Sequence, residues 1–305
     1  MTHTEDLKLS VTWQQSFTMA ALISKLALIY LVGYSITGIV HFIGLLLLYK
    51  SKTNLKNQRL LIMNLACIEM LLCLSMSTLL SSKWTKVMDR NIASHVNAFL
   101  NTFFFTEMRV AMIHIIFDRF FYIYTNIKYP VYMTRYKMLL IVAMHWSISL
   151  LCAIVGFSLY VVGAFSGHLQ FTFFLSLALD ITILISSIIT YVYFYKMVQK
   201  IKEQEASVPV KARPSKIALL TSKFKIPCLI VLTYILFNLT SIIMLTISKY
   251  VQYGRKFHLL EAFSHVPIII GIISDACIYV FGNSNVRKLL CSLSKKTRSA
   301  VGFTN

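Results

Sequence analysis

No basic stretch followed by a short apolar core opens this chain. A cleavable signal peptide is therefore not expected, and the first long apolar stretch is left to act as the insertion signal. Acidic side chains are few: 11 Asp and Glu stand against 30 Lys and Arg. Of the six cysteines, Cys67, Cys73, Cys152, Cys228 and Cys277 fall in long apolar stretches, and Cys291 follows the last one. None lies where a loop on the far side of a membrane is expected, so no extracellular disulfide is expected. The sequence has no metal-ligand spacing, no internal repeat and no low-complexity tract. Its one N-x-[ST] triplet, Asn238-Leu239-Thr240, is inside an apolar stretch and out of reach of glycosylation.

What the chain does have is apolar length. Hydrophobic residues make up 57% of its 305 positions, more than a soluble domain of this size needs. About 20 consecutive apolar residues cross a bilayer as a helix. Seven such spans are predicted, near 23–49, 58–81, 93–124, 136–162, 170–198, 218–248 and 259–282. The expected fold is an all-α membrane protein, a seven-transmembrane helix bundle over 23–282. A polar extracellular segment, 1–22, precedes it and a short cytoplasmic tail, 283–305, follows, with no room for a second domain.

Charge placement predicts the orientation. With the N-terminus outside, 21 of the 30 basic residues fall in cytoplasmic loops and the tail, eight fall outside, and Arg109 lies within a span. The positive-inside bias thus predicts N-out, C-in. It also accounts for the net charge of +19 without nucleic acid, because basic loops beside a membrane meet the head groups of anionic membrane lipids. The longest inner loop, near 199–217, carries Pro209, Pro214 and charges of both signs. It reads as solvated and flexible. After the last span, Val286, Leu289, Leu290 and Leu293 form one apolar stripe flanked by Arg and Lys. That spacing predicts a short amphipathic eighth helix on the inner leaflet, with Asn283 or Ser284 as its cap. Cys291 is a candidate lipidation site, by palmitoylation; an unmodified interfacial thiol is the alternative.

The third span ends in Asp118-Arg119-Phe120. A charged doublet at the end of an apolar helix must be solvated, paired or used. Span two contains NLACIE, Trp146 stands 27 positions after Arg119, and span seven ends in DACIY. In this order and at these spacings the motifs resemble those of the rhodopsin-like (class A) G-protein-coupled receptors, across all seven spans. NLACIE is similar to that family's N/S-L-A-x-x-D, with Glu69 for the aspartate. FDRF is similar to D/E-R-Y/F, DACIY to N/D-P-x-x-Y, and NVRKLL to the eighth helix. The resemblance implies an extracellular ligand, a heterotrimeric G protein, arrestin as a further partner, and the plasma membrane. It implies no catalytic residue and no cofactor.

The departures are informative. Ser94 stands at the family's span-three cysteine, and the second outer loop has no cysteine. Span six lacks W-x-P and span five lacks a central proline. Ile269 fills the retinal-lysine position, which excludes an opsin. His41, 28 positions before Glu69, replaces the span-one asparagine. In these respects the chain is similar to divergent orphan receptors expanded within invertebrate lineages such as cnidarians.

Three sets of candidate residues follow from the resemblance. Asp118, Arg119, Asp275 and Tyr279 would form the activation switch. Arg119 would pair with Asp118 at rest and meet a partner protein once the helices move. A snorkelling interfacial charge pair is the alternative. His41, Glu69 and Asp275 would converge in a buried polar core, where relatives often bind sodium. Two carboxylates in such a core share a proton, bind a cation or pair with one, and a charged His41 would be that cation. A hydrogen-bonded network without a switching role is the alternative. Met108, at the span-three serine ligand position, weakens the case for sodium. Asn101, Phe105, Asp180, Glu261 and His265 would face an outer ligand pocket. Asn101 replaces the aspartate of amine receptors, which disfavours a monoamine.

Arg109 is the least expected residue. An arginine at mid-membrane is costly unless paired. Glu107, two positions away, is on another face. Asp180 of span five is the expected partner, in a structural ion pair that fixes the bundle; a ligand contact is the alternative. The competing function is a channel or transporter lined by Glu69, Glu107, Arg109, Asp180 and Asp275. Against it stand the missing inverted repeats, Gly/Pro-broken half-helices and pore loop. No nucleophile–base pair or membrane-protease motif supports an enzyme.

Overall fold

The computed structural model describes residues 3–50, 56–85, 89–125, 128–163, 165–206, 216–250, 256–282, 286–289 and 291–292. Its helices follow in the order α1 (His3–Lys50), α2 (Lys56–Thr85), α3 (Arg90–Thr125), α4 (Tyr129–Tyr132), α5 (Arg135–Val161), α6 (Phe165–Ala206), α7 (Lys216–Tyr250) and α8 (Lys256–Gly282). Among the described residues, all of these helices but α4 hold a stretch long and apolar enough to cross a membrane, seven in total. The molecule is a nearly all-helical bundle with the build of a multi-pass membrane protein. Large apolar side chains such as Ile39, Leu151, Ile185 and Ile189 point outward along the spans. On a soluble monomer that belt would be an aggregation liability; in a bilayer it is the surface that faces lipid.

The helices outrun the apolar spans. α1 begins at His3 and passes through most of the polar segment 1–22, since no Gly or Pro precedes Gly33 to stop it. α6 continues to Ala206, into the expected loop at 199–217; Pro209 and Pro214 lie outside the described residues. Apolar length marks the membrane, and helix propensity carries the chain beyond it.

Local signals set several ends. Pro130 sits in the first turn of α4, where its missing N–H costs nothing. Thr134 caps α5, its side chain accepting from the Lys137 amide. Gly163 ends that helix at φ +81°, with its amide bonded to the Tyr160 carbonyl. A Cβ would strain this left-handed turn. Between α7 and α8 the approach is close: a Cβ on Gly271 would lie 3.0 Å from the Phe237 Cβ.

α3 is the central element. It packs against α2, α5, α6 and α7, and its Met108 and Met112 are fully buried beside Leu65, Ile68 and Leu72 of α2. α6 is the span most open to lipid. The C-terminal turns of α1, α3 and α6 meet the N-terminal turns of α2, α4 and α7 at one end of the bundle, the basic end. Beyond α8, residues 286–289 and 291–292 are helical. Val286 is buried and Leu289 packs on the core, while Arg287, Lys288 and Cys291 are exposed. Leu290, Leu293, Asn283 and Ser284 lie outside the described residues.

Candidate functional site

The basic end of α3 carries a buried carboxylate with two kinds of donor. Arg119 Nε donates to Asp118 Oδ2 at 3.0 Å, and its Nη2 reaches the same oxygen. The Tyr129 hydroxyl of α4 donates to the other oxygen, Oδ1. Asp118 is 1% exposed and Arg119 5%. The guanidinium also lies over Tyr122, 5.6 Å from the ring centroid, a distance at which a cation is attracted to the ring face. Burial first, and the Asp118 charge second, push the Tyr129 hydroxyl above the ordinary tyrosine range. The group is therefore a fixed donor at neutral pH. Asn57 at the start of α2 donates to the Met133 carbonyl at 2.6 Å, which fastens the α4 turn to the bundle.

Arg119 also lines a cavity of about 370 Å³ between α3, α6 and α7. Its walls are apolar, with Ile115, Ile116, Phe224 and Val231 among them. Pro227 on α7 lines it too. That proline lacks an N–H, so the helix loses one backbone bond at the cavity wall.

Deeper, His41, Glu69 and Tyr279 meet. His41 Nδ1 is 3.0 Å from the Thr37 carbonyl, which can only accept, so that nitrogen carries the hydrogen. Its Nε2 is 2.9 Å from Glu69 Oε2. The Tyr279 hydroxyl donates to the same oxygen, also at 2.9 Å. Asp275 lies close enough to Glu69 for the two carboxyl groups to interact, and it accepts from Thr233 of α7. α1, α2, α7 and α8 are thereby joined through polar side chains. The sodium ion implied for this place needs oxygen ligands around a carboxylate. Here Met108 supplies none, and His41 already occupies Glu69, so the residues present do not fit it.

Toward the opposite end a cavity of about 520 Å³ opens among the helices. Asn101, Phe105 and His265 line it, together with Tyr30, Tyr34 and Arg109. His265 Nδ1 is 3.3 Å from the Tyr34 hydroxyl. Asn101 donates to Asn97 Oδ1 at 3.1 Å, while its own Oδ1 is buried without a hydrogen-bond partner. The neighbouring ring of Phe104 is turned into the core. The side chain of Glu261 is outside the described residues.

Asp180 stands behind the cavity wall, not on it. Arg109 Nε donates to Asp180 Oδ1 at 3.1 Å and to Oδ2 at 3.2 Å. Arg109 Nη1 donates to the Phe105 carbonyl at 3.0 Å. The Tyr234 hydroxyl of α7 completes the set, donating to Asp180 Oδ1 at 2.6 Å. Three helices, α3, α6 and α7, thus share one buried ion pair.

Sequence reasoning misses Tyr129 and Tyr234. Both look like ordinary aromatics of a loop and a span. It also misses the polar seam where α5 meets α2 and α3. There Ser149 donates to Glu107 at 2.7 Å, Trp146 donates to Asn64 at 3.0 Å, and the His114 and His145 rings meet edge to face at 4.5 Å. Only their shared absence from the lipid-facing side could have signalled it.

No protein-family model matches this chain, and no curated protein matches it in sequence.

Proposed function

We propose that the chain is a rhodopsin-like receptor of the plasma membrane, N-terminus outside. It would take a ligand in the larger cavity and activate a heterotrimeric G protein at its basic end. The observation that carries this reading is the double engagement of Asp118. One buried anion divides its oxygens between Arg119 and Tyr129. Removing its charge would release the end of α3 and the α4 turn together. Arg119 already borders the α3–α6–α7 cavity, where a transducer segment would insert. Arrestin would approach the same end. Buried Val286 beneath exposed Arg287, Lys288 and Cys291 supports an amphipathic eighth helix on the inner leaflet, with Cys291 available for acylation.

A receptor is favoured over a channel by two observations. The two cavities share no lining residue. The intramembrane acids Glu69, Glu107, Asp180 and Asp275 each bond to another protein side chain, so no row of unengaged carboxylates lines a conduction path.

The experiment is nucleotide exchange by purified heterotrimeric G proteins of each class, driven by the full-length protein in lipid nanodiscs. Exchange above the empty-disc rate, faster for Asp118→Asn than for the wild type, is expected. Ionic current across planar bilayers, with no exchange on any G protein, would support the channel instead.

A further inference from the structure

The guanidinium of Arg109 is only partly used. It carries five N–H donors. Its Nε side is taken by Asp180, and one Nη1 donor goes to the Phe105 carbonyl. Among the described residues, no acceptor bonds to Nη2. Arg109 is 6% exposed, yet it lines the larger cavity. What remains exposed to that cavity is thus a charged edge with spare donors. No Asp or Glu is found among the described lining residues. Asp180, the carboxylate paired with Arg109, lies behind the wall and not on the cavity side.

We propose that this cavity binds a small organic carboxylate with an apolar body, whose head group is held by the free Nη edge of Arg109. A carboxylate matches the spacing of guanidinium donors and bonds to them with charge assistance, which makes such pairs short and strong. The rest of the cavity suits an apolar body. Phe105, Tyr30 and Tyr34 supply ring faces. His168 lines the wall with its Nδ1–H already donated to the Gly156 carbonyl at 2.8 Å, so it adds no second charged group to the cavity rim by that nitrogen. An ammonium ligand would meet the Arg109 charge and find no carboxylate among the described lining residues. Asp180 acts as the holder: it fixes the Nε side and leaves the other edge presented.

The same geometry gives Asp180 a distinctive signature. Converting it to Asn keeps a hydrogen-bond acceptor but leaves the Arg109 charge uncompensated. An entering carboxylate would then neutralise it. Carboxylates should bind Asp180→Asn more tightly than the wild type and restore its stability.

This inference rests on the receptor reading only in taking the cavity as the ligand site. Binding is read without any G protein, so a failure of coupling would leave it standing. The test is thermal unfolding of the full-length protein in nanodiscs. The probes are a graded series of straight-chain and aryl carboxylates, each with its matched amide and amine. In the wild type, carboxylates should raise the melting temperature and their amides and amines should not. Asn101→Phe, which fills the cavity without touching the ion pair, should weaken carboxylate binding by at least about tenfold, the worth of a charge-assisted bond. Asp180→Asn should gain more from carboxylates than the wild type does. Carboxylates no better than amides in the wild type would overturn the proposal. So would a response unchanged in Asn101→Phe, or a carboxylate response in Asp180→Asn no larger than in the wild type.

Discussion

His41 Nε2 lies 2.9 Å from Glu69 Oε2 at a place neither residue can reach water from, both being 0% exposed. The contact joins α1 to α2, and Tyr279 brings α8 to the same oxygen. Asparagine at position 41 would still reach toward Glu69 but would carry no basic nitrogen. His41→Asn should therefore lose stability, by about 1–3 kcal/mol if a buried acceptor is left poorly paired. It should also open the core to a cation. Millimolar sodium should raise the melting temperature of His41→Asn and leave the wild type nearly unmoved. Strong stabilisation of the wild type by sodium, equal in the variant, would show that the histidine does not hold the cation's place.

Arg109 and Asp180 should behave as one unit in stability. Truncating either alone leaves the other charge buried without its partner, at a cost of roughly 3–5 kcal/mol. Replacing both with leucine removes that penalty, although Tyr234 loses its acceptor. The double variant should melt above the sum of the two single effects. Additive losses in a double-mutant cycle would mean that the two charges do not interact.

Tyr129→Phe isolates the α4 contact. It removes one donor to Asp118 and little volume. Basal signalling should rise, less than in Asp118→Asn, because Arg119 still holds the other oxygen. The pH dependence has a definite sign. The hydroxyl is raised above the ordinary tyrosine value, about 10, by burial and by Asp118. Its contribution to stability is complete below that value and is lost as pH rises beyond it. Basal activity of Tyr129→Phe equal to that of the wild type would remove Tyr129 from the switch.

All six cysteines are free thiols. Dithiothreitol should change neither the melting temperature nor surface expression. Cys228, Cys277 and Cys291 are exposed and Cys73 is buried, so a maleimide small enough to enter lipid should label the first three well before Cys73. A disulfide found by mass spectrometry in the unreduced protein would contradict this arrangement.

The seven spans are legible in the sequence because a bilayer demands about 20 apolar residues in a row, and nothing else in the chain imitates that run. Helix ends are not. At His3 and Ala206 the chain leaves the apolar run while remaining helical, since hydropathy records the membrane and not the backbone. The structure brings Arg109 and Asp180 together across 71 positions. The sequence supplies the reason, since few acids exist at mid-span to satisfy a buried arginine. Tyr129 is invisible by contrast. Its role depends on the α4 turn folding back under α3, which one Tyr-Pro pair does not announce. The Glu107–Ser149 bond and the His114–His145 contact depend on how α3 is rotated against α5. Side-chain period fixes a buried face but not which polar groups meet across it.

In the receptor proposed above, Asp118 holds Arg119 in a resting state from which a transducer releases it. The most direct measurement of this hold is ligand-free nucleotide exchange on purified G protein by four proteins at equal nanodisc content: wild type, Asp118→Asn, Arg119→Ala and the double variant. Exchange should be low in the wild type and raised several-fold in Asp118→Asn. None above background is expected in Arg119→Ala or in the double variant, all four melting as folded proteins. Equal exchange by all four would contradict such a hold, as would a double variant as active as Asp118→Asn.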